Sequence, residues 1–176
     1  SLASHPDELP INVGVSWDDL DASQAITACE VSIQKYPSIL RLHAQLGRAL
    51  LKAGRFDEAF TVNSKAANAG NRLSQSLLAK MYSDGTGVSK NGELAHIWWK
   101  KSANSGYPEA QFQLSLIHYY GKGVSVDKSK AFELAWKAAQ QDHVKAIYNV
   151  GWMYLTGDGV AKSKSNAVKF FQKAAD

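Results

Sequence analysis

Only one cysteine occurs among the 176 residues, and no long uncharged apolar stretch is present. Cys29 alone cannot form an intrachain disulfide or a zinc site built from several cysteines, and it does not decide the redox compartment. Serine, asparagine, glutamine and glycine interrupt the longest stretches without charge, so no run of about 20 apolar residues is available to span a membrane. With 45% hydrophobic and 20% charged residues, the chain has the composition of a folded globular protein.

Basic clusters are also missing, although the formal net charge is +4. All basic residues after position 89 are lysines, and they occur singly or in pairs. Proteins that bind nucleic acid usually carry clustered basic residues, commonly with arginine as the bidentate donor to phosphate. We therefore expect no nucleic-acid partner, and the apolar pattern predicts no membrane insertion.

The sequence contains no recognisable catalytic or metal-binding pattern. The histidine nearest to Cys29 is His43, and no orienting asparagine or aspartate accompanies it, whereas a thiol nucleophile needs both a base and an orienting group. We therefore interpret Cys29 as a small residue packed on a helix face. No two histidines have the i, i+4 spacing of a metal site. The acidic pairs at 18–19 and 57–58 are adjacent, so their side chains point in different directions on a helix. These observations predict no catalytic residue, no metal and no cofactor.

A period of 36 residues organises the second half of the chain. A pair of glycines recurs three times, each time followed by valine, and an alanine recurs in the same register. The glycines are Gly85, Gly87, Gly121, Gly123, Gly157 and Gly159, and the alanines are Ala95, Ala131 and Ala167. Self-similarity at a fixed period of this length is typical of repeat proteins.

Each unit contains two segments with helical spacing of apolar residues. In the middle unit Leu114 and Ile117 precede the glycine pair, and Leu134 and Ala138 follow it. Glycine tolerates positive φ, so the glycine pair can end the first helix and reverse the chain. Neither helix can bury its apolar face alone, whereas stacked pairs can. The pattern thus predicts an all-α fold, an α/α superhelical solenoid of antiparallel helix pairs.

The glycine pairs could also suggest a phosphate-binding loop. However, they lack the third glycine two residues later, no strand precedes them, and no Gly-Lys-Ser/Thr follows. Their recurrence at the same place in every unit favours structural turns.

The chain before the first glycine pair is less regular. Residues 41–70 form a shorter unit whose turn has four residues fewer, a form typical of tetratricopeptide repeats. A helix is expected over 23–36, capped by Asp21 or Ser23 and stopped before Pro37. We expect residues 1–20 to be an extended segment and residues 21–176 to form a single solenoid domain.

The later units resemble Sel-1-like repeats, which are relatives of the tetratricopeptide repeat with a longer turn. The Sel-1-like units are 74–106, 110–142 and 146–176, and the resemblance as a whole covers residues 41–176. In the last unit the carrying residues are Ala146, Val150, Gly151, Trp152, Met153, Tyr154, Gly157, Asp158, Gly159, Val160, Ala167, Phe170, Phe171, Lys173, Ala174 and Ala175. The middle unit departs from this pattern at Ser115, His118 and Ala135. The resemblance implies a right-handed superhelix that acts as an adaptor or scaffold in a bacterium, often in the envelope or secreted. It therefore points to an exported or periplasmic location but to no particular ligand.

In such a superhelix the first helices line the concave side, which places a set of residues in a groove. The candidate partner-binding residues are Arg41, Gln45, Arg48, Lys80, Gln113, Leu116, Tyr119, Lys145, Asn149 and Trp152. Amides could bond a peptide backbone, cations could pair with acidic groups, and Tyr119 and Trp152 could grip apolar side chains. The alternative is that the polar positions are ordinary solvated residues and that Trp152 packs against a further unit. Trp98, Trp99 and Trp136 lie on second helices, where packing is the favoured interpretation.

The sequence therefore predicts a non-catalytic protein-interaction scaffold that binds a protein or peptide in its groove. The alternative is a regulatory or recruiting module of a larger enzyme whose catalytic domain lies outside this chain. The end at residues 174–176 shows no polar capping helix, which solenoids need for solubility. We therefore expect either further repeats after it or self-association through this end.

Overall fold

Residues 21–175 are described by a computed structural model, and within them the regular structure is entirely α-helical. The expected extended segment 1–20 lies outside the described residues. The helices are α1 (Ala22–Lys35), α2 (Leu40–Lys52), α3 (Phe56–Asn68), α4 (Arg72–Asp84), α5 (Gly92–Asn104), α6 (Pro108–Tyr120), α7 (Lys128–Ala139), α8 (Val144–Thr156) and α9 (Lys164–Ala175). The first helix begins and ends one residue earlier than 23–36.

Consecutive helices pack against each other along the whole described chain. Short turns join α2 to α3, α4 to α5, α6 to α7 and α8 to α9, so each pair forms an antiparallel hairpin. Each second helix then packs on the first helix of the next pair, and α2 also contacts α4. The predicted all-α solenoid is confirmed. None of the described helices has both the length and the hydropathy to cross a bilayer.

Side-chain caps begin most of the helices. Asp21 accepts the backbone N–H of Gln24 at 3.0 Å, as one of the two expected caps of α1. Asn71, Asn91 and Asp127 cap α4, α5 and α7 in the same way, at 2.8–2.9 Å. Such a cap contributes about 1 kcal/mol of stability because it satisfies a backbone donor that has no partner inside the helix.

Left-handed residues end the helices of the repeats. Gly85, Gly121 and Gly157 follow α4, α6 and α8 with φ of 79°, 68° and 83°, and the second glycine of each pair also has positive φ. The second helices α3 and α5 are followed by Gly70 and Gly106 at positive φ, and Asp142 takes the equivalent place after α7 with φ 58°. The turn interpretation of the glycine pairs agrees with this geometry.

Small residues at one repeated position allow the helices to approach closely. Ala59, Ala95, Ala131 and Ala167 lie 36 residues apart on the second helices and are at most 4% exposed. The apolar core extends through all the helix pairs. Cys29 packs in it beside Ile26, and burial raises the pKa of its thiol. The observation agrees with a packing role for this cysteine.

Gly159 and Gly123 make a matched pair for testing how the units contact each other. Both have positive φ, but a Cβ on Gly159 would collide with the backbone of Lys128 at the start of α7, whereas a Cβ on Gly123 would meet open space. Gly123→Ala should cost about 1 kcal/mol of unfolding free energy, from backbone strain alone. Gly159→Ala should cost about 3 kcal/mol because α7 must also move. Urea unfolding followed by circular dichroism measures both, and equal costs would show that the loop does not pack on α7.

Candidate partner-binding surface

The exposed sides of α2, α4, α6 and α8 form one surface, here called the first-helix face. All ten candidate residues lie on these four helices, and none of them is buried. The exposed ones are Arg41, Gln45, Lys80, Lys145 and Trp152; the half-buried ones are Arg48, Gln113, Leu116, Tyr119 and Asn149. Every candidate is therefore accessible to a partner from solvent.

Four candidates meet in a small cleft between α6 and α8. Leu116 and Tyr119 of α6 line it together with Asn149 and Trp152 of α8, and its volume is about 50 Å³. The indole of Trp152 stands at this cleft and is 45% exposed. An exposed tryptophan beside an apolar recess is a typical anchoring position in protein interfaces. This α6–α8 cleft is thus a recess of the first-helix face that four candidate residues share.

Tyr119 also takes part in a polar contact between two units. Its hydroxyl donates to Oδ2 of Asp158 at 2.6 Å, and Lys128 Nζ donates to Oδ1 of the same carboxylate at 2.9 Å. The Lys128 ammonium also lies 4.0 Å from the centre of the tyrosine ring. The hydrogen bond to the carboxylate raises the pKa of Tyr119, and those from Tyr119 and Lys128 lower the pKa of Asp158. The hydroxyl is thus already engaged and Lys128 lies over the ring, so only the remaining ring surface of Tyr119 is left for a partner.

A second contact joins α6 to the start of α8. The Nε2 atom of His143 lies 2.8 Å from Oε2 of Glu109, while Gln113 donates to Oε1 of the same carboxylate at 2.7 Å. The Nδ1 atom of His143 accepts the backbone N–H of Ala146 at 3.2 Å, so His143 also caps α8. Because Nδ1 accepts, Nε2 is the nitrogen that donates to Glu109. The hydrogen bond from His143 is the main cause of the lowered pKa of Glu109.

The charge of the first-helix face is predominantly positive. Its candidate residues include four cations and no acid; the cations are Arg41, Arg48, Lys80 and Lys145. Two carboxylates nearby are engaged within the chain: Asp84 accepts from Lys80 at 2.8 Å, and Glu109 from His143. The Lys80–Asp84 ion pair is exposed, and exposed ion pairs contribute little stabilising free energy. Lys80 can therefore leave Asp84 and pair with an anion of a partner.

Other residues considered from the sequence lie away from this surface. The Nε2 atom of His43 is 2.8 Å from the backbone oxygen of Pro37, while Cys29 packs in the core. Within residues 21–175, no three histidine, cysteine or carboxylate side chains are grouped to hold a metal. Exposed Tyr148 and Val168 mark the outer side of α8 and α9. Self-association through this end stays a prediction.

Helix pairs repeated in tandem with left-handed glycine turns define the class of α-helical repeat solenoids. The Sel1 repeat family matches residues 72–107, 108–143 and 144–176. These matches cover more than half of the chain, and the protein belongs to the Sel1 repeat family. The resemblance stated from the sequence is therefore confirmed. Sel1 repeats generally mediate protein interactions, and their fold is typically a non-catalytic scaffold.

Solved structures of similar proteins come from bacteria. A Sel1 repeat protein from Oxalobacter formigenes is 34% identical with a TM-score of 0.72, and the match covers 76% of this chain and 53% of that one. The protective antigen c5321 of uropathogenic Escherichia coli strains, which displays an SLR fold, is 27% identical with a TM-score of 0.73, covering 89% and 33%. MamA, at 21% identity and a TM-score of 0.51, shares the fold alone. The chain thus spans about half or less of the first two proteins. No curated protein matches it.

The Glu109–His143 contact gives a pH-dependent prediction. Glu109→Gln should lower the unfolding free energy by about 1 kcal/mol at pH 7, because a partly solvated hydrogen bond to a charged group contributes about that much. The folded-state pKa of Glu109 is lowered, so its contribution is fully present above the unfolded pKa of about 4.3 and is lost as pH falls through the folded value. The difference between wild type and variant should therefore shrink below pH 4.

Denaturant unfolding at pH 7, 5 and 3.5 measures this difference. Glu30→Gln, on the exposed side of α1, is the control and should change stability little at any of these pH values. A Glu109→Gln cost that stays constant down to pH 3.5 would contradict the assignment of the stabilisation to the ionised carboxylate.

Proposed function

We propose that this protein is a non-catalytic interaction module that binds an extended acidic segment of a partner protein on its first-helix face. The observation that carries the proposal is the exposed Trp152 at the α6–α8 cleft, on a surface whose candidate residues bear four cations and no acid. Tryptophan and arginine are enriched among residues that dominate binding energy.

The residues of the face would have separate roles. Trp152, Leu116 and the ring of Tyr119 would hold an apolar or aromatic side chain of the partner at the α6–α8 cleft. The cations on α2, α4 and α8 would attract acidic side chains, which speeds association and fixes the direction of the segment. Gln45 and Asn149 would bond its backbone, while Gln113 already donates one N–H to Glu109. A narrow cleft and a wide cationic surface suit an extended segment better than a small molecule.

A second role is compatible with the same surface. Because the chain spans only 53% and 33% of two similar bacterial structures, such repeats also occur in longer proteins. The module could therefore recruit substrates or regulators to a catalytic domain on the same polypeptide. The length of the encoded protein distinguishes the two arrangements, and both use the first-helix face.

Replacing the anchoring residues should remove partner binding without unfolding the chain. In the variant Arg48→Ala/Tyr119→Ala/Trp152→Ala, partner affinity should fall by about a hundredfold, because the three side chains together should contribute about 3 kcal/mol of binding free energy. Trp152→Ala alone leaves the Tyr119–Asp158 hydrogen bond intact and should lower affinity by about tenfold. Partners are captured from the native organism with immobilised protein, identified by mass spectrometry and titrated by fluorescence anisotropy as synthetic segments.

The matched control is Lys65→Ala/Ile97→Ala/Val168→Ala, which removes three exposed side chains from second helices. It should bind as the wild type does, and circular dichroism checks that all variants remain helical. Retention of the same partners by the Trp152 variants, or their loss in the control alone, would reject the first-helix face as the binding surface.

A further inference from the structure

A second cavity lies between α5 and α7, on the side of the second helices, with α6 as its floor. Its volume is about 530 Å³, within the range of about 300–1,000 Å³ typical of small-molecule sites. The lining side chains on which the argument rests are His96, Lys100, His118, Lys130, Leu134 and Lys137. Among the α6 residues at this cavity, His118 lies about 160° around the helix from Leu116 and about 100° from Tyr119. None of the cavity-lining residues is among those that line the α6–α8 cleft, so the two sites are separate.

The same groove is filled with aromatic rings in the next pair of units. At positions 36 residues after His96, His118 and Leu134 the chain has Phe132, Tyr154 and Phe170. There the centres of the Phe132 and Tyr154 rings are 5.3 Å apart, and those of Tyr154 and Phe170 are 5.8 Å apart. Trp136 packs on this cluster at 5.3 Å from Phe170. An apolar seam thus closes the groove between α7 and α9.

The preceding pair of units also has aromatic residues at these positions. At positions 36 residues before His96, His118 and Leu134 the chain has Phe60, Tyr82 and Trp98. The rings of Phe60 and Tyr82 meet edge to face with centres 5.8 Å apart. Only the middle one of these three grooves has two imidazoles and a leucine at the three positions. Because leucine and histidine are smaller than the aromatic residues they replace, the groove stays open, and its lining is polar.

Two polar side chains of the cavity, His118 and Lys100, have groups without a partner within the described residues. The Nδ1 atom of His118 is buried without a hydrogen-bond partner, although buried polar atoms in native proteins almost always have one. Lys100 forms no ion pair in the part of the chain that the structure describes. Burial, together with the charges of His118 and Lys100, lowers the pKa of His96. The cavity is thus a place where positive charge is disfavoured in the absence of an anion.

Glu133 only partly compensates this charge. Its carboxylate accepts from Lys130 at 2.8 Å and from Lys137 at 2.6 Å, and these two hydrogen bonds lower its pKa to about 2. One negative charge is therefore shared between two ammonium groups, and Lys100 adds a third. Lysines and imidazoles grouped at one cavity are the donors that proteins use for phosphate and carboxylate groups.

We propose that the α5–α7 cavity binds a small oxyanion, a phosphate or carboxylate group. Lys100 pairs with the anion, and the imidazoles of His96 and His118 donate to its oxygens. Lys130 and Lys137 hold it from the α7 side while Glu133 keeps their positions. The site takes a multiply charged metabolite or a phosphate group rather than a peptide backbone, because its donors are clustered and not extended along the solenoid.

Isothermal titration with inorganic phosphate and with citrate tests the site and separates the two sources of oxyanion. Sodium chloride keeps the ionic strength constant, because exposed charges are screened over about 8–10 Å. The wild type should bind one equivalent of at least one of the two anions. Lys100→Gln should weaken binding by about tenfold, since it removes one charged donor. Lys169→Gln, an exposed lysine on α9, is the matched control and should leave binding unchanged.

A second variant copies the neighbouring grooves. His96→Phe/His118→Tyr/Leu134→Phe should abolish anion binding and raise the melting temperature, because the aromatic residues fill the cavity. If this variant does not fold, Lys100→Gln and His118→Tyr decide the question. Absence of saturable binding to the wild type, or equal binding by the wild type, Lys100→Gln and the filled variant, would overturn the proposal. Either result leaves peptide binding on the first-helix face untouched, since that face uses other side chains.

Discussion

The close contact of helices at the repeated alanines determines most of this structure. With a single methyl group at Ala59, Ala95, Ala131 and Ala167, each second helix can approach its neighbours closely enough to exclude water from these positions. A helix pair of about 13 residues each buries too little apolar surface to be stable alone. The shared core therefore exists only because each hairpin lies tightly against the next, and any larger side chain at these positions would separate the units.

The turns transmit this contact from one unit to the next. The loop after α8 lies so close to the start of α7 that Gly159 has no room for a side chain, and Asp158 beside it accepts hydrogen bonds from Tyr119 and Lys128. Two residues of one unit thus donate to a carboxylate of the next unit. The glycine pair consequently has two separate effects: it reverses the chain, and it lets the turn reach the neighbouring helix. Because of the second effect, the turn is itself a packing contact between units and not only a connection between two helices.

Local features of the fold could be predicted from the sequence, whereas the contacts between units could not. Helical spacing, capping residues and left-handed glycines act within a few residues, so their pattern is visible in one repeat. The Tyr119–Asp158 and Glu109–His143 contacts join residues 39 and 34 positions apart. They depend on how far successive hairpins rotate, which small differences in side-chain volume set. The sequence pattern therefore predicts the helix on which Tyr119 lies, but it contains no sign of the hydrogen bond from its hydroxyl to Asp158.

Comparison of equivalent positions separates the residues that maintain the solenoid from those that are free to differ. The alanine and glycine positions keep their size in every later unit, because helix spacing and turn geometry are the same throughout. The three positions that carry aromatic rings in the grooves between α3 and α5 and between α7 and α9 have no such constraint. Their side chains lie between second helices that the repeated alanines already hold in place. The middle unit pair can therefore carry His96, His118 and Leu134 where the other pairs carry aromatic residues, and its helices still stack in the same way. The fold tolerates polar side chains at these three positions because the contacts that hold the helices together lie elsewhere. A repeat protein can in this way acquire a polar cavity inside an otherwise apolar array, and it can do so independently of the side chains on the first-helix face.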